Sequence, residues 1–179
     1  MRKIIFGGAN SLDNYFARQD GSVDWLLFND EVAEVMKSSF DNVDTVLMGR
    51  KTFEVALKQS GGKSQAMPGI TSYVFSRTWK ESPDPNAQLV TTDAVEFVRD
   101  LKTQPGKDII LMGGGDFART LFEADLIDEV GFNIHPVLLG SGIPIFFEMS
   151  RQIDLQLIEC RAFKTGCVLV RYSVKHKDQ

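Results

Sequence analysis

The sequence predicts an α/β domain with a mostly parallel central sheet, an antiparallel C-terminal hairpin and helices on both faces. Short apolar, β-rich runs alternate with segments of helical periodicity through most of the chain. The last two strand-like runs are separated only by Lys164-Thr165-Gly166, which leaves room for a turn and not for a crossover helix. Three of the runs stop at Gly49, Ser76 and Gly113, with polar residues following each.

Taken in order, residues 3–9 form a short apolar run suited to a buried strand. Residues 29–40 read as a helix, with Asn29 as N-cap and Val32, Val35, Met36 and Phe40 recurring on one face. Thr45-Val46-Leu47-Met48 is the next strand, and a helix begins near Thr52. Tyr73-Val74-Phe75 and Leu89-Val90-Thr91 are short strands. Asp93-Ala94-Val95-Glu96 has capping-box spacing, and Ala94, Val98 and Leu101 then share a helix face. Ile109-Ile110-Leu111-Met112 is a fully apolar strand that stops at Gly113-Gly114-Gly115. Phe117, Ala118, Leu121 and Phe122 mark an amphipathic helix after it, and residues 127–136 form another strand. The hairpin arms are 153–162 and 167–175. Val168, Val170, Tyr172 and Val174 alternate at period two, while the first arm changes phase between Leu157 and Ile158, which predicts a β-bulge.

At 179 residues the chain fits one domain spanning 1–179. Its 43% hydrophobic and 25% charged content excludes a disordered chain, a collagen-like repeat and a disulfide-stapled miniprotein. Lys plus Arg number 20 against 24 Asp plus Glu, so there is no global basic field for nucleic acid or an anionic membrane. Any phosphate site must be built locally. The apolar run after Met1-Arg2-Lys3 is too short for a signal peptide, and no run is long enough to span a membrane. The cytoplasm is the expected compartment, with Cys160 and Cys167 reduced. Two sulfurs with no neighbouring histidine make a poor metal site, and none is expected.

The chemistry concentrates in three clusters that follow strands: Gly49-Arg50-Lys51-Thr52, Ser76-Arg77-Thr78 and Gly113-Gly114-Gly115-Asp116. In a parallel sheet all three fall on one edge, outside the carboxyl ends of the strands, where ligands bind. Glycines before a helix let backbone N–H groups approach an anion, and the helix N-terminus adds partial positive charge. Taken alone, the triple glycine is equally a tight strand-to-helix turn. Arg50 and Lys51 at a helix start are unfavourable against the dipole unless an anion is near. Ser76 and Arg77 suit a second phosphate such as a ribose 2′-phosphate, or a plain surface turn.

In order and spacing the chain resembles the dihydrofolate-reductase-like superfamily. Within it the nearest likeness is the C-terminal reductase domain of the riboflavin-biosynthesis deaminase–reductase. The resemblance rests on residues 11–17, 46–54 and 73–77, on Leu111-Met112-Gly113-Gly114-Gly115, and on residues 127–142. It implies a stand-alone, NADPH-dependent reductase acting on a C=N or C=O bond of a heterocyclic or ribosyl-pyrimidine substrate, and a homodimer. It implies that Gly49, Arg50, Lys51 and Thr52 meet the adenosine-side phosphates, that Ser76 and Arg77 take the 2′-phosphate, and that Gly113, Gly114, Gly115 and Asp116 cradle the pyrophosphate. A cis Gly113–Gly114 peptide is part of that expectation. Ala9 would contact the nicotinamide amide, with Asp13 and Phe16 near the ring, and Gly140-Ser141-Gly142 would border the substrate pocket. Asn14 stands where this subfamily often has glycine, and asparagine tolerates positive φ.

Dihydrofolate reductase proper needs a buried carboxylate on the helix after the first loop. The acids there are Asp30, Glu31 and Glu34. On a helical wheel Asp30 and Glu34 oppose the apolar stripe and Glu31 lies at its edge, while Ala33 takes the place of the family's acid. This favours the riboflavin-type reading and leaves Glu31 as the one acid of interest. Asp13 sits at the predicted crevice and either orients substrate or relays a proton, or caps a turn through backbone. Trp25 is a pocket wall or core, His135 a packed histidine, and His176 part of a charged tail. A dihydrofolate reductase and a non-catalytic nucleotide-binding or sensor protein remain the alternatives.

Overall fold

Among the described residues, 1–64 and 66–176 of this computed structural model, the chain forms ten strands and four helices. They are β1 (Ile4–Ser11), β2 (Tyr15–Ala17), α1 (Asp30–Ser38), β3 (Val43–Gly49), α2 (Arg50–Gln59), β4 (Thr71–Phe75), β5 (Ala87–Val90), α3 (Ala94–Thr103), β6 (Asp108–Met112), α4 (Gly115–Glu123), β7 (Glu129–His135), β8 (Ile143–Pro144), β9 (Leu155–Ala162) and β10 (Val168–Val174). Eight strands make one sheet in the order β5-β4-β3-β6-β1-β7-β10-β9, parallel up to β7 and antiparallel in the hairpin. β2 and β8 form a separate two-stranded sheet that the sequence does not announce, because each is only a few residues long.

The expected caps are in place. Asn29 Oδ1 accepts the Val32 amide at 2.8 Å and Asp93 Oδ1 accepts the Glu96 amide at 2.9 Å. The bulge falls where the apolar phase changes: Arg171 faces Glu159, Tyr172 faces Leu157, and Ile158 is the extra residue. Strand alternation divides the core into two layers. Ile4, Phe6, Leu47, Ile109 and Leu111 pack under α3 and α4 on one face. Val46, Met48, Val74 and Ile110 pack with Phe53 of α2 on the other.

One expectation is corrected. Of the apolar stripe on α1 only Val32 is buried, and Met36 is 50% exposed, because the helix stands off the sheet instead of closing on it. The strand expected over 127–136 is β7, an interior strand paired on both sides, and the edge strands of the sheet are β5 and β9. No helix among the described residues is long and apolar enough to cross a membrane.

Candidate active site

Three strand ends converge on one cleft of about 520 Å3. It is lined by Gly49 at the end of β3 with Arg50, Lys51 and Thr52 after it, by Ser76, Arg77 and Thr78 after β4, and by Gly114 at the N-cap of α4 with Asp116 and Arg119 on that helix. α2 begins at Arg50 with no acidic residue in its first turn, so cations and a positive helix end share one wall. Arg50 pairs with Glu54 at 2.6 Å and Arg119 with Asp116 at 2.6 Å, both exposed pairs that an incoming phosphate can exchange. Asp116 therefore sits at the cradle as a partner of Arg119. Ser76 is buried, and its Oγ accepts the Thr78 and Trp79 amides at 3.2 and 3.0 Å. The hydroxyl builds the turn that presents Arg77 to the cleft.

The three glycines have different reasons to be glycine. A Cβ on Gly113 would lie 2.8 Å from Thr52 Cγ2, and one on Gly115 would lie 2.2 Å from the Ile145 carbonyl oxygen. Both positions are fixed by packing. Gly114 has a φ of 68° and nothing closer than 3.5 Å to an added Cβ, and it lines the cleft. The expected cis bond is absent: the described residues contain no cis peptide, and consecutive left-handed glycines (φ of 58° and 68°) turn the chain instead.

A second cleft, of about 510 Å3, runs along one face of the sheet, from Lys3, Asp108 and Glu129 at the strand starts to Ala9, Met112 and His135 at the strand ends. Its floor is the face of β1, β6, β7 and β10 that carries Ile5, Gly7, Ala9, Ile110, Met112, Gly131, Asn133, His135 and Leu169. Its wall is the α1 stripe, Val32, Val35, Met36 and Phe40, with Leu26, Leu27 and Phe28. The apolar stripe is thus the wall of a cleft. Charged groups gather at the other end, where Glu129 takes Lys3 at 2.7 Å and Arg171 at 2.9 Å. Burial pushes the Glu129 carboxyl up, but these two cations outweigh it and hold it below the usual range. Glu129, Asn133 and His135 were legible only through the alternation of β7, which puts them with Gly131 opposite Val130, Phe132 and Ile134.

Asp13 enters neither cleft. Its carboxylate accepts the Leu139 amide at 3.1 Å and the Gly140 amide at 2.7 Å. The Ser11 hydroxyl and these amides hold it below the usual carboxylate range, so it is an ionised clamp. With Leu12 N donating to Val137 O and Ile145 N to Asn14 O, it ties the loop after β1 to the loop after β7, and β2–β8 completes this flap. Asn14 holds the turn at a φ of 66° as expected. Gly140, Ser141 and Gly142 belong to the flap and line neither cleft, and a Cβ on Gly142 would meet the Ala17 oxygen at 2.2 Å. Phe16 packs edge-on against Phe6 in the core. Trp25 is buried edge-on to His135 at 5.4 Å, one layer behind the cleft. Glu31 turns away as well: it accepts the Lys164 amide at 3.2 Å and lies 3.7 Å from Arg161, which pins the hairpin to α1. Ala33 is exposed.

The model of the RibD C-terminal domain family matches residues 2–169. An uncharacterized protein of Bacillus subtilis, YyaP, is 32% identical over 180 residues, covering 96% of this chain and 94% of its own. Among solved structures, a putative riboflavin biosynthesis protein from a Shewanella species superposes with a TM-score of 0.84 at 27% identity, covering 98% of this chain and all of that one. Dihydrofolate reductase from Enterococcus faecalis, solved with NADP(H), shares the fold with a TM-score of 0.70 at 15% identity, covering 99% of this chain and 97% of its own. The match runs through the strand ends, the glycine corner and the flanking clefts, and the chain belongs to the RibD C-terminal domain family.

Proposed function

We propose that the chain is an NADPH-dependent oxidoreductase that reduces a C=N or C=O bond in a heterocyclic or ribosyl-pyrimidine substrate. The observation that carries this reading is the convergence of three strand ends on one cationic cleft, with an apolar cleft beginning at Ala9 beside it. Arg77 follows β4 and Ala9 lies on β1, three strand spacings away, so a ligand joining them spans ~14 Å. An extended dinucleotide has that reach, and the donor set fits it: Arg77 for a 2′-phosphate, Arg50, Lys51 and Thr52 for further phosphates, and open backbone at Gly114.

Bound there, the cofactor would supply the hydride. The protein's own residues position and exclude water. The flap pinned by Asp13 covers the carboxyl ends of β1 and β7, and Val32, Val35 and Phe40 surround the apolar cleft. The dihydrofolate reductase alternative is disfavoured by Glu31, which is bound to the hairpin, and by the exposed Ala33.

The reading is tested by thermal shift with NADPH, NADH and FMN, then by NADPH oxidation with a panel of pyrimidine and pterin substrates. Stabilisation by NADPH with turnover of a pyrimidine is the expected result. Stabilisation with no turnover of any substrate would make the protein a nucleotide sensor. Turnover of dihydrofolate would make it a dihydrofolate reductase.

A further inference from the structure

The second cleft is longer than one ring. From Ala9 back to Lys3 along the first strand it covers ~20 Å. A ring at the Ala9 end, where the proposed cofactor would deliver hydride, fills less than half of that length. The remainder passes Ile5 and Ile110, which are paired in register, and ends beside Phe40 and Val43 at the entry to β3. Val35 and Met36 of α1 belong to the wall. None of these side chains can donate or accept a hydrogen bond of ordinary strength, so a polar substituent there would give up its hydration without return. An apolar substituent gains from every methylene that leaves water.

The charges along this cleft work against an anion. The carboxylates of Asp41, Asp108, Glu129 and Glu159 line it against the cations Lys3, Arg161 and Arg171, and the cations are committed. Lys3 and Arg171 both pair with Glu129, at 2.7 and 2.9 Å, and only 6% of the Glu129 side chain is exposed. A phosphate that drew either cation away would leave a buried carboxylate under-paired. The cationic cleft differs, because Arg50 and Arg119 are held there by exposed acids. Arg161 lies 3.7 Å from Glu31 and sits over the Phe163 ring, 5.1 Å from its centroid. Asp41 and Asp108 add negative charge at the strand-start mouth, where a substituent would emerge.

We infer that the second cleft takes an unphosphorylated substrate whose ring carries an apolar substituent, and turns phosphorylated analogues away. This rests on the second cleft being the substrate site. The ring lies at the Ala9 end, the substituent runs over Ile5 and Ile110, and its tip reaches water at the mouth beside Lys3 and Asp41.

1-Methyluracil, 1-butyluracil, uridine and uridine 5′-monophosphate share one ring and one attachment atom. Titrating each into the isotope-labelled full chain with NADPH present, and following the Ile5, Ile110 and Gly131 amides by NMR, reads this cleft apart from the cationic one. The butyl compound is expected to bind at least tenfold more tightly than the methyl compound, since each buried methylene is worth about fourfold. The monophosphate is expected to bind more weakly than uridine. Asp41→Lys, at an exposed position, gives the mouth an uncommitted cation and should shift the ratio of these two dissociation constants toward the monophosphate. Met36→Gln, at a position 50% exposed, makes the wall more polar and should shrink the gain from methyl to butyl. A wild type that prefers the monophosphate to uridine, or shows no gain from methyl to butyl, overturns the inference and leaves the cleft as the substrate site. An unchanged ratio in Asp41→Lys, or an unchanged gain in Met36→Gln, also counts against it. If no ligand moves these amides, the inference falls together with the reading beneath it.

Discussion

On the proposed reading, Arg77 is the residue on which cofactor choice turns. It lines the cationic cleft, and Ser76 spends its oxygen on the turn that carries it. A charged hydrogen bond to a phosphate contributes about 1.5–3 kcal/mol, about one to two decades of affinity. Arg77→Ala should therefore erase most of the preference for NADPH over NADH in a fluorescence titration. An undiminished preference would move the 2′-phosphate away from this corner. Gly114 offers a sharper experiment than its neighbours. Gly113→Ala and Gly115→Ala would collide with Thr52 and Ile145, so they report on packing. Gly114→Ala meets no atom closer than 3.5 Å and suffers only the left-handed backbone, about 1–2 kcal/mol. A folded Gly114→Ala protein is expected to lose NADPH affinity, because its methyl stands on the cleft wall. Unchanged affinity would make the whole glycine run structural. The sequence showed that these residues share an edge but not which partner each had taken. Asp116 finds its partner one turn along its own helix, Ser76 in a tight turn, and Asp13 in a loop over a hundred residues away.

At the scale of elements, periodicity reports which residues share a face but not what covers that face. The stripe on α1 reads as core, yet most of it lines a cleft, because the helix packs beside the sheet and leaves a gap. The same alternation that made 127–136 a strand also separates Glu129, Gly131, Asn133 and His135 from the buried side, and this is where the unexpected site residues lie. Strand and helix order, caps and the bulge were legible because they depend on local sequence. The flap was not, since β2 and β8 are short and meet only in three dimensions. Glu129 ties β1 to β7 and β10 through Lys3 and Arg171, with only 6% of its side chain exposed. Its folded pKa is depressed, so its contribution is present above the ordinary value of 4.5 and is lost as pH falls through the folded value. Glu129→Gln should cost about 1–3 kcal/mol in urea unfolding at pH 7, since its partners are half-exposed. The gap from the wild type should narrow once the pH drops below about 4.5. A gap independent of pH would mean that the carboxylate's charge is not what matters.

For the whole molecule the open question is the uncovered hairpin. Every residue of β9 is exposed or half-exposed, and Leu157 and Ile158 are 56% and 47% exposed. The bulge places these two apolar side chains on consecutive positions, so neither face of the strand is polar throughout. An open edge of this kind pairs with other chains unless something covers it. A two-fold partner would cover it with its own copy of the same surface. The expected assembly is a C2 dimer centred on β9 and β10, burying on the order of 1,200 Å2 or more in total. Because Glu159, Arg161 and Arg171 both belong to this hairpin and line the apolar cleft, such a dimer would also stiffen the outer wall of the proposed substrate site. Sedimentation at micromolar concentration should give a dimer for the wild type and a monomer for Leu157→Glu combined with Ile158→Lys. The monomeric variant should bind NADPH as before, because the cationic cleft lies on the far strands β3 and β4. A wild type that sediments as a monomer, with or without NADPH, would show that the hairpin tolerates water on both faces.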